Sequence, residues 1–375
     1  MPAPLHLVRP SVRAERAYLV PTTTEAGAKV DQNESPFDLP ADVKRAILER
    51  FAAEPWNRYP DDRPHALQAA LAERLGVEPG AVLVGRGSND IVHTLGLCFL
   101  DAGTPVVLPA PMFALFGSVA RMHAAHVVAV APEADFSHDP DKILAAAQDA
   151  GAALTVVTTP NNPTGSTVAY ADLARLAAGV PGVLLVDEAY HEFVDGPSAL
   201  ELLAAGHDNV LVMRTFSKAL GLAGLRIGYL VGAPALIAEI EKARLPFLVD
   251  RLAEATAIEA LARPDLVRDH VAVLVAERDA LLADLAGMDG VETVPSAANF
   301  FLFRTPLGAQ ALRAALAARG VLIRDVTGYP ELAARDGKAG WTRVSVGRPD
   351  ENRAFRAALS AVLAGAPVAG PAVVA

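Results

Sequence analysis

Cysteine is almost missing from this 375-residue chain, with Cys98 the sole copy. That excludes an intrachain disulfide and a cysteine-based zinc cluster. Set in Leu95-Gly96-Leu97-Cys98-Phe99, it reads as a small buried hydrophobe rather than a catalytic thiol. Long apolar runs are missing too. No stretch approaches the roughly 18 residues that a membrane-spanning helix needs, and Met1-Pro2-Ala3-Pro4-Leu5 does not begin a basic-then-apolar leader. Positive charge is in deficit: 33 Lys and Arg stand against 43 Asp and Glu, a net of −10. A sequence-independent nucleic-acid binder carries the opposite balance. No Gly-x-x-x-x-Gly-Lys-Ser/Thr loop occurs. The glycines from Gly221 to Gly228 run into a strand pattern rather than opening a helix, so they do not form a dinucleotide loop. His123 and His126 have a three-residue spacing but no neighbouring Glu base, and no metal site is expected. These absences lead us to expect a soluble, cytoplasmic protein with neither nucleic acid nor membrane as partner.

What is present points to an enzyme-sized α/β fold. Hydrophobic residues make up 52% and charged residues 20%, which excludes a disordered chain. The length suits one large and one smaller domain. From residue 41 to about 262, short β-branched runs alternate with Ala-rich amphipathic stretches. The runs are 82–84, 105–108, 126–130, 154–158, 183–186, 210–213 and 227–231. Most lack polar alternation, as strands buried on both faces of a mostly parallel sheet do. Helices between them, such as 139–150 and 170–178, complete a helix-covered central sheet. After Pro246 the pattern changes. Helical stretches at 250–262 and 266–285 precede strands at 300–303, 321–324 and 342–346, with further helices at 310–319 and 352–363. Residues 263–375 therefore read as a smaller α+β domain, on which the N-terminal segment 1–40 is expected to pack. The stretch from Gly365 to Ala375 reads as a loose tail.

Four motifs carry chemistry. Thr159-Pro160-Asn161-Asn162-Pro163-Thr164-Gly165 is a tightly specified loop directly after a strand, where parallel sheets bind ligands. Val186-Asp187-Glu188-Ala189-Tyr190 ends another strand with an acid pair. Arg214-Thr215-Phe216-Ser217-Lys218 follows a third, and Gly221-Leu222-Ala223-Gly224-Leu225-Arg226-Ile227-Gly228 comes next. Singly, each has a bland explanation as a turn, a strand-end cap or a solvated charge. Together, Asn162, Asp187, Tyr190, Ser217, Lys218 and Arg226 offer a ring hydrogen bond, an acid for a ring nitrogen, a phenol, a hydroxyl, an amine and a cation for a phosphate. That inventory suits pyridoxal 5′-phosphate, which needs a Lys for a Schiff base and an acid for its pyridinium. Arg86-Gly87-Ser88-Asn89-Asp90 adds a helix N-terminus suited to phosphate.

With these motifs in this order, the chain resembles the aspartate-aminotransferase-like superfamily of fold type I, and more narrowly the histidinol-phosphate aminotransferases. The likeness runs from Asn33-Glu34-Ser35-Pro36 to Gly347-Arg348-Pro349-Asp350-Glu351-Asn352. It implies that Lys218 forms the Schiff base and then shuttles a proton, that Asp187 keeps the pyridine nitrogen protonated, and that Asn162 and Tyr190 bond the ring oxygen. Ser217 and Arg226, with Ser88 and Asn89, would hold the phosphate. Phe113 would stack on the ring, in a place where the family commonly has Tyr. Tyr59, in Arg58-Tyr59-Pro60-Asp61, would reach the phosphate of a neighbouring subunit and make the working form a homodimer. Arg324 and Arg343, whose planar guanidinium groups suit carboxylate or phosphate, would face the anionic end of the substrate, with Asn33 beside them. Arg348 reads as a solvated or helix-start residue.

The activity implied is transfer of the amino group of L-histidinol phosphate to 2-oxoglutarate in histidine biosynthesis. Two departures, Leu248 after Pro246-Phe247 and Ser35-Pro36-Phe37-Asp38 in place of a Tyr-Gly motif, both fall on the substrate side. An aromatic-amino-acid aminotransferase and a decarboxylase of a phosphorylated amino acid are the alternatives that use the same machinery. A catalytically dead binding module is a third, against which the intact Lys218 and Asp187 speak.

Overall fold

The computed structural model describes residues 4–17, 26–334 and 337–365. Apart from Gly365, the expected tail lies outside the described residues. Seven strands build the central sheet: β1 (Val82–Gly85), β2 (Pro105–Pro109), β3 (His126–Val130), β4 (Leu154–Thr158), β5 (Val183–Asp187), β6 (Val210–Thr215) and β7 (Gly228–Gly232). Their spatial order is β1-β7-β6-β5-β4-β2-β3. All pairings are parallel except those of β7, which runs against both β1 and β6.

Alternation along each strand explains the uninterrupted apolar runs. Val106, Leu108, Val156, Leu185, Leu211 and Met213 pack on one side with helices Ser88–Phe99 and Ala114–Met122. Val107, Val157, Val186 and Val212 pack on the other with helices Pro140–Ala150 and Tyr170–Gly179. Both faces are covered, so neither set of positions can be polar. Near β1 and β7 a further core gathers Leu67, Leu71, Phe216 and Ala257, the last from helix Arg251–Leu261.

A second core centres on Phe300, Phe301, Phe303 and Phe355, with Leu274, Leu281 and Leu285 from the long helix Pro264–Ala286. Its antiparallel sheet has the order Arg324–Asp325, Thr342–Ser345, Phe300–Arg304, Glu292–Thr293. The single strand expected over 321–324 is two. Val321–Leu322 pairs in parallel with Ala28–Lys29, while Arg324–Asp325 pairs with Thr342–Arg343. Ile323, buried between them, is the joint at which the chain changes partner.

The N-terminal segment divides. Ala28–Lys29 joins the second unit, where the Ser345 N–H donates to the Val30 carbonyl at 2.8 Å. The short helix Pro10–Arg13 instead lies near helix Ala114–Met122 of the large unit, and Ser11 Oγ donates to the Met122 carbonyl at 2.9 Å. Contrary to an undivided packing on the small unit, the segment touches both units. Among the described residues no helix is long and apolar enough to cross a membrane.

Candidate active site

A cavity of about 870 Å³ opens at the carboxyl ends of β2, β4, β5 and β6, against the small unit. This is the crevice where the strand order reverses, since β3 lies on one side of β2 and β4 on the other. Lys218, Asp187, Tyr190, Ser88, Asn89, Phe113, Asn162, Ser217, Arg226, Asn33, Arg324 and Arg343 all line it. Tyr59 does not. It is 77% exposed and stacks on Phe247 at 4.8 Å, while its carbonyl accepts from Arg251 Nη2 at 2.9 Å.

Asp187 closes β5 in register with Thr158 and Met213, which fixes its position across the sheet. Burial drives its carboxyl up to about 7; the Ala189 N–H, which donates to Oδ1 at 3.1 Å, pulls the other way. Lys218 lies in the loop after β6, and its Nζ donates to the Gln32 carbonyl at 3.1 Å. Burial, and next the positive charge of Arg343, bring this amine down to about 7. A buried acid and a buried amine with opposite shifts thus share one cavity, the arrangement expected where proton chemistry is done. The hydroxyl of Tyr190 accepts from Asn33 Nδ2 at 3.0 Å and from Asn162 Nδ2 at 3.4 Å. Burial pushes this phenol up to about 12, so it keeps its proton.

Beside these groups lies a cradle for an anion. Helix Ser88–Phe99 starts after Gly87, which has φ +79° and supplies no side-chain cap, so the first N–H groups face the cavity end unsatisfied by a cap. Arg226, itself at φ +54°, donates from Nη1 to Ser217 Oγ at 3.3 Å and to the Ala223 carbonyl at 2.9 Å. A Cβ on Gly87 would stand 2.6 Å from Arg226 Nη2, and one on Gly228 would stand 2.5 Å from the Ser88 nitrogen. Only glycines allow the three elements to come this close.

On the opposite wall, Arg343 reaches across from the small sheet. Its Nη1 donates to Asn162 Oδ1 at 2.7 Å and its Nη2 to the Asp31 carbonyl at 2.9 Å, with the guanidinium 5.3 Å from the Phe300 ring centre. The Arg324 side chain has no hydrogen-bond or ion-pair partner among the described residues. Asn33 is 1% exposed, and Ser345 Oγ donates to its Oδ1 at 3.0 Å. Its polar atoms therefore orient Tyr190 and tie down the N-terminal strand. Arg348 is the N-cap of helix Pro349–Leu363.

Three features escape the motif reading. Glu188 faces away from the cavity. It accepts from Arg214 Nε and Nη2 at 2.9 and 2.8 Å, from Ser198 Oγ at 2.8 Å and from the Ala199 N–H at 2.7 Å. Strand alternation gives this away, since neighbours in a strand point to opposite faces. Thr215 donates to Ser217 Oγ at 3.0 Å and thereby sets that hydroxyl. Arg121 lines the outer cavity wall, with no signal in its sequence context beyond a helix position. Among the described residues, no three His, Cys, Asp or Glu side chains converge as metal ligands do.

Comparison with known proteins adds three findings. Residues 27–359 match the family described as "Aminotransferase class I and II". Over 361 residues the chain is 40% identical to the histidinol-phosphate aminotransferase of Chlorobium phaeovibrioides, covering 96% of this chain and 98% of that protein. The crystal structure of the histidinol-phosphate aminotransferase of Sinorhizobium meliloti in complex with pyridoxal-5′-phosphate superimposes with a TM-score of 0.80 at 29% identity, covering 91% and 92%. L-threonine-O-3-phosphate decarboxylase of Porphyromonas gingivalis has a TM-score of 0.77 at 23% identity, with 90% and 99% covered, a likeness that shows the fold alone.

Proposed function

The chain belongs to the class I and II aminotransferases, a family of fold-type-I enzymes, and from that premise we propose that it transfers the amino group of L-histidinol phosphate to 2-oxoglutarate, with pyridoxal 5′-phosphate as cofactor. The products are imidazole acetol phosphate and L-glutamate. The observation that carries this reading is the meeting of a depressed amine (Lys218), a raised acid (Asp187) and the Gly87–Ser88–Arg226 cradle in one cavity.

The donor set fits this cofactor. Ser88, Asn89, Ser217 and Arg226 would hold its phosphate, Asp187 its ring nitrogen, Asn162 and Tyr190 its ring oxygen, and Phe113 one face of the ring. When bound, the cofactor supplies an aldehyde that condenses with amines and a ring that takes up the electron pair leaving the substrate α-carbon. The chain's own part is to place protons. An amine near 7 exchanges a proton at neutral pH, so Lys218 Nζ accepts and returns the proton of the α-carbon. Asp187 Oδ2 is left for the ring nitrogen while Oδ1 is held by the Ala189 N–H. A carboxylate raised by burial regains its charge once a cation stands beside it. Tyr190, protonated up to about 12, donates its hydroxyl hydrogen instead of repelling the ring oxygen.

Arg324, unpaired among the described residues, and Arg343, held ready by Asn162, suit a substrate with an anionic end. An aromatic amino acid brings these cations only the single charge of its carboxylate, whereas a phosphomonoester brings about −1.5 to −2. The relatives at 40–41% identity carry the same substrate in their names and support the choice. Tyr59, exposed with Phe247 and Trp56 on the outer face, supports a working homodimer in which this side chain meets a second copy.

A panel of amino donors decides the substrate. Single-turnover loss of the cofactor's visible band should be fastest with L-histidinol phosphate. A preference for phenylalanine at equal concentration would transfer the assignment to the aromatic enzymes, and release of carbon dioxide from O-phosphothreonine to the decarboxylases.

A further inference from the structure

We propose that Arg121 is a second cation for the substrate's phosphate, held in readiness by a carboxylate of the chain's own N-terminal segment that the phosphate displaces. The inference deepens the substrate reading above and rests on it. Arg121 stands in the wall of the same cavity as Arg324. Glu15, 106 positions away in sequence, grips it with both oxygens: Arg121 Nε donates to Oε1 at 2.6 Å and Nη2 to Oε2 at 3.1 Å. Nη2 also reaches Ser118 Oγ at 3.3 Å. Nη1 takes none of these bonds. It lies along Gly117, where a Cβ would stand 3.0 Å away, so the glycine is what gives the guanidinium room along the wall.

This pair has the geometry of a ligand site already filled. The guanidinium fork that receives a carboxylate receives phosphate oxygens equally well. A carboxylate brings one charge, whereas a phosphomonoester brings about −1.5 to −2 near neutrality. The Arg121 side chain is 54% exposed and that of Glu15 17%, so the pair is open on the arginine's side, where an incoming anion would meet it, and an ion pair with one such exposed partner contributes little to stability. Arg121 belongs to the large unit and Arg324 to the small one, and both line the one cavity.

Two substitutions separate an exchange site from a clasp that merely pins helix Pro10–Arg13. Either Glu15→Gln or Arg121→Gln breaks a clasp, so both would move the KM for histidinol phosphate the same way. An exchange site moves it in opposite directions. In the holoenzyme, Arg121→Gln should raise that KM about tenfold, the worth of one charge-assisted hydrogen bond. Glu15→Gln, by removing the competitor, should lower it about two- to fivefold. Dephosphorylated L-histidinol should show a much smaller rise with Arg121→Gln, and Arg121→Lys, which keeps the charge and loses the fork, an intermediate one with histidinol phosphate. KM shifts of one sign in both variants, or equal rises for both donors, overturn the exchange site and leave the substrate reading standing. Should Arg121→Gln fail to fold, equal KM values for Arg121→Lys and wild type overturn it. A wild-type enzyme that does not turn over histidinol phosphate overturns the substrate reading, and the subsite with it.

Discussion

Lys218 should be a burden to the protein whenever the cofactor is absent, and the size of that burden follows from its surroundings. The amine falls from an ordinary 10.5 to about 7, chiefly through burial. A lowered amine means that the unfolded chain binds the proton more tightly than the folded one. The cost is therefore full below about pH 7, declines as pH rises from 7 to 10.5, and vanishes above. The whole interval is worth about 5 kcal/mol at most. Water in the cavity screens the charge, and the bond to the Gln32 carbonyl is retained, so a cost of about 2–3 kcal/mol is the working figure. Lys218→Met keeps the volume and removes the charge. Denaturant unfolding of the cofactor-free proteins across pH 6–10 should find the variant more stable by that amount at pH 6–7, with the two curves converging towards pH 10. Packing differences do not depend on pH, and making the same pair in an Asp187→Asn background removes the one nearby carboxyl that Lys218 pulls down, so the slope there isolates the amine. A stability difference that stays flat across this range, or that grows with pH, would refute the reasoning.

Asp187→Asn should weaken cofactor retention and lower turnover at least about a hundredfold, since a neutral amide does not hold a ring proton; equilibrium dialysis and steady-state rates check this. Its carboxyl is raised from 3.8 to about 7, so its cost to the cofactor-free fold is absent below pH 3.8 and complete above about 7. The same variant should accordingly be more stable than wild type at pH 8 and equal to it near pH 4. Gly87→Ala should loosen the cofactor's phosphate and cost the fold about 1–3 kcal/mol, because φ +79° disfavours any side chain and its Cβ would meet Arg226; a cofactor Kd within twofold of wild type would contradict the cradle. Arg343→Leu should raise the KM for both 2-oxoglutarate and the amino donor by about tenfold or more, and an unchanged KM for both removes it from the substrate side.

The central sheet was legible because a strand covered on both faces leaves no polar position to blur the pattern, and all seven runs from Val82 to Val231 are strands. That these residues would meet in one cavity was legible because they sit where those runs end: Asp187 on β5, Lys218 after β6, Arg226 before β7. Legibility failed where partners are distant. Nothing local in Val321 to Arg324 announces that its halves pair with strands from opposite ends of the chain. Nothing near Glu15 announces Arg121. Asp187 and Glu188 look equivalent in a list, yet one meets the cavity and the other Arg214, a distinction that only the pleat makes.

β7 carries a consequence of its own. It is the strand that runs against its neighbours, and it begins at Gly228, whose missing side chain leaves the Ser88 nitrogen its place. The spacing between the helix that presents Ser88 and the arginine just ahead of β7 is thus gauged by interior ladder bonds, not by a pliable loop. Any change that nudges this strand, however far from the crevice, should register first as a leaking vitamin and only later as a melting domain.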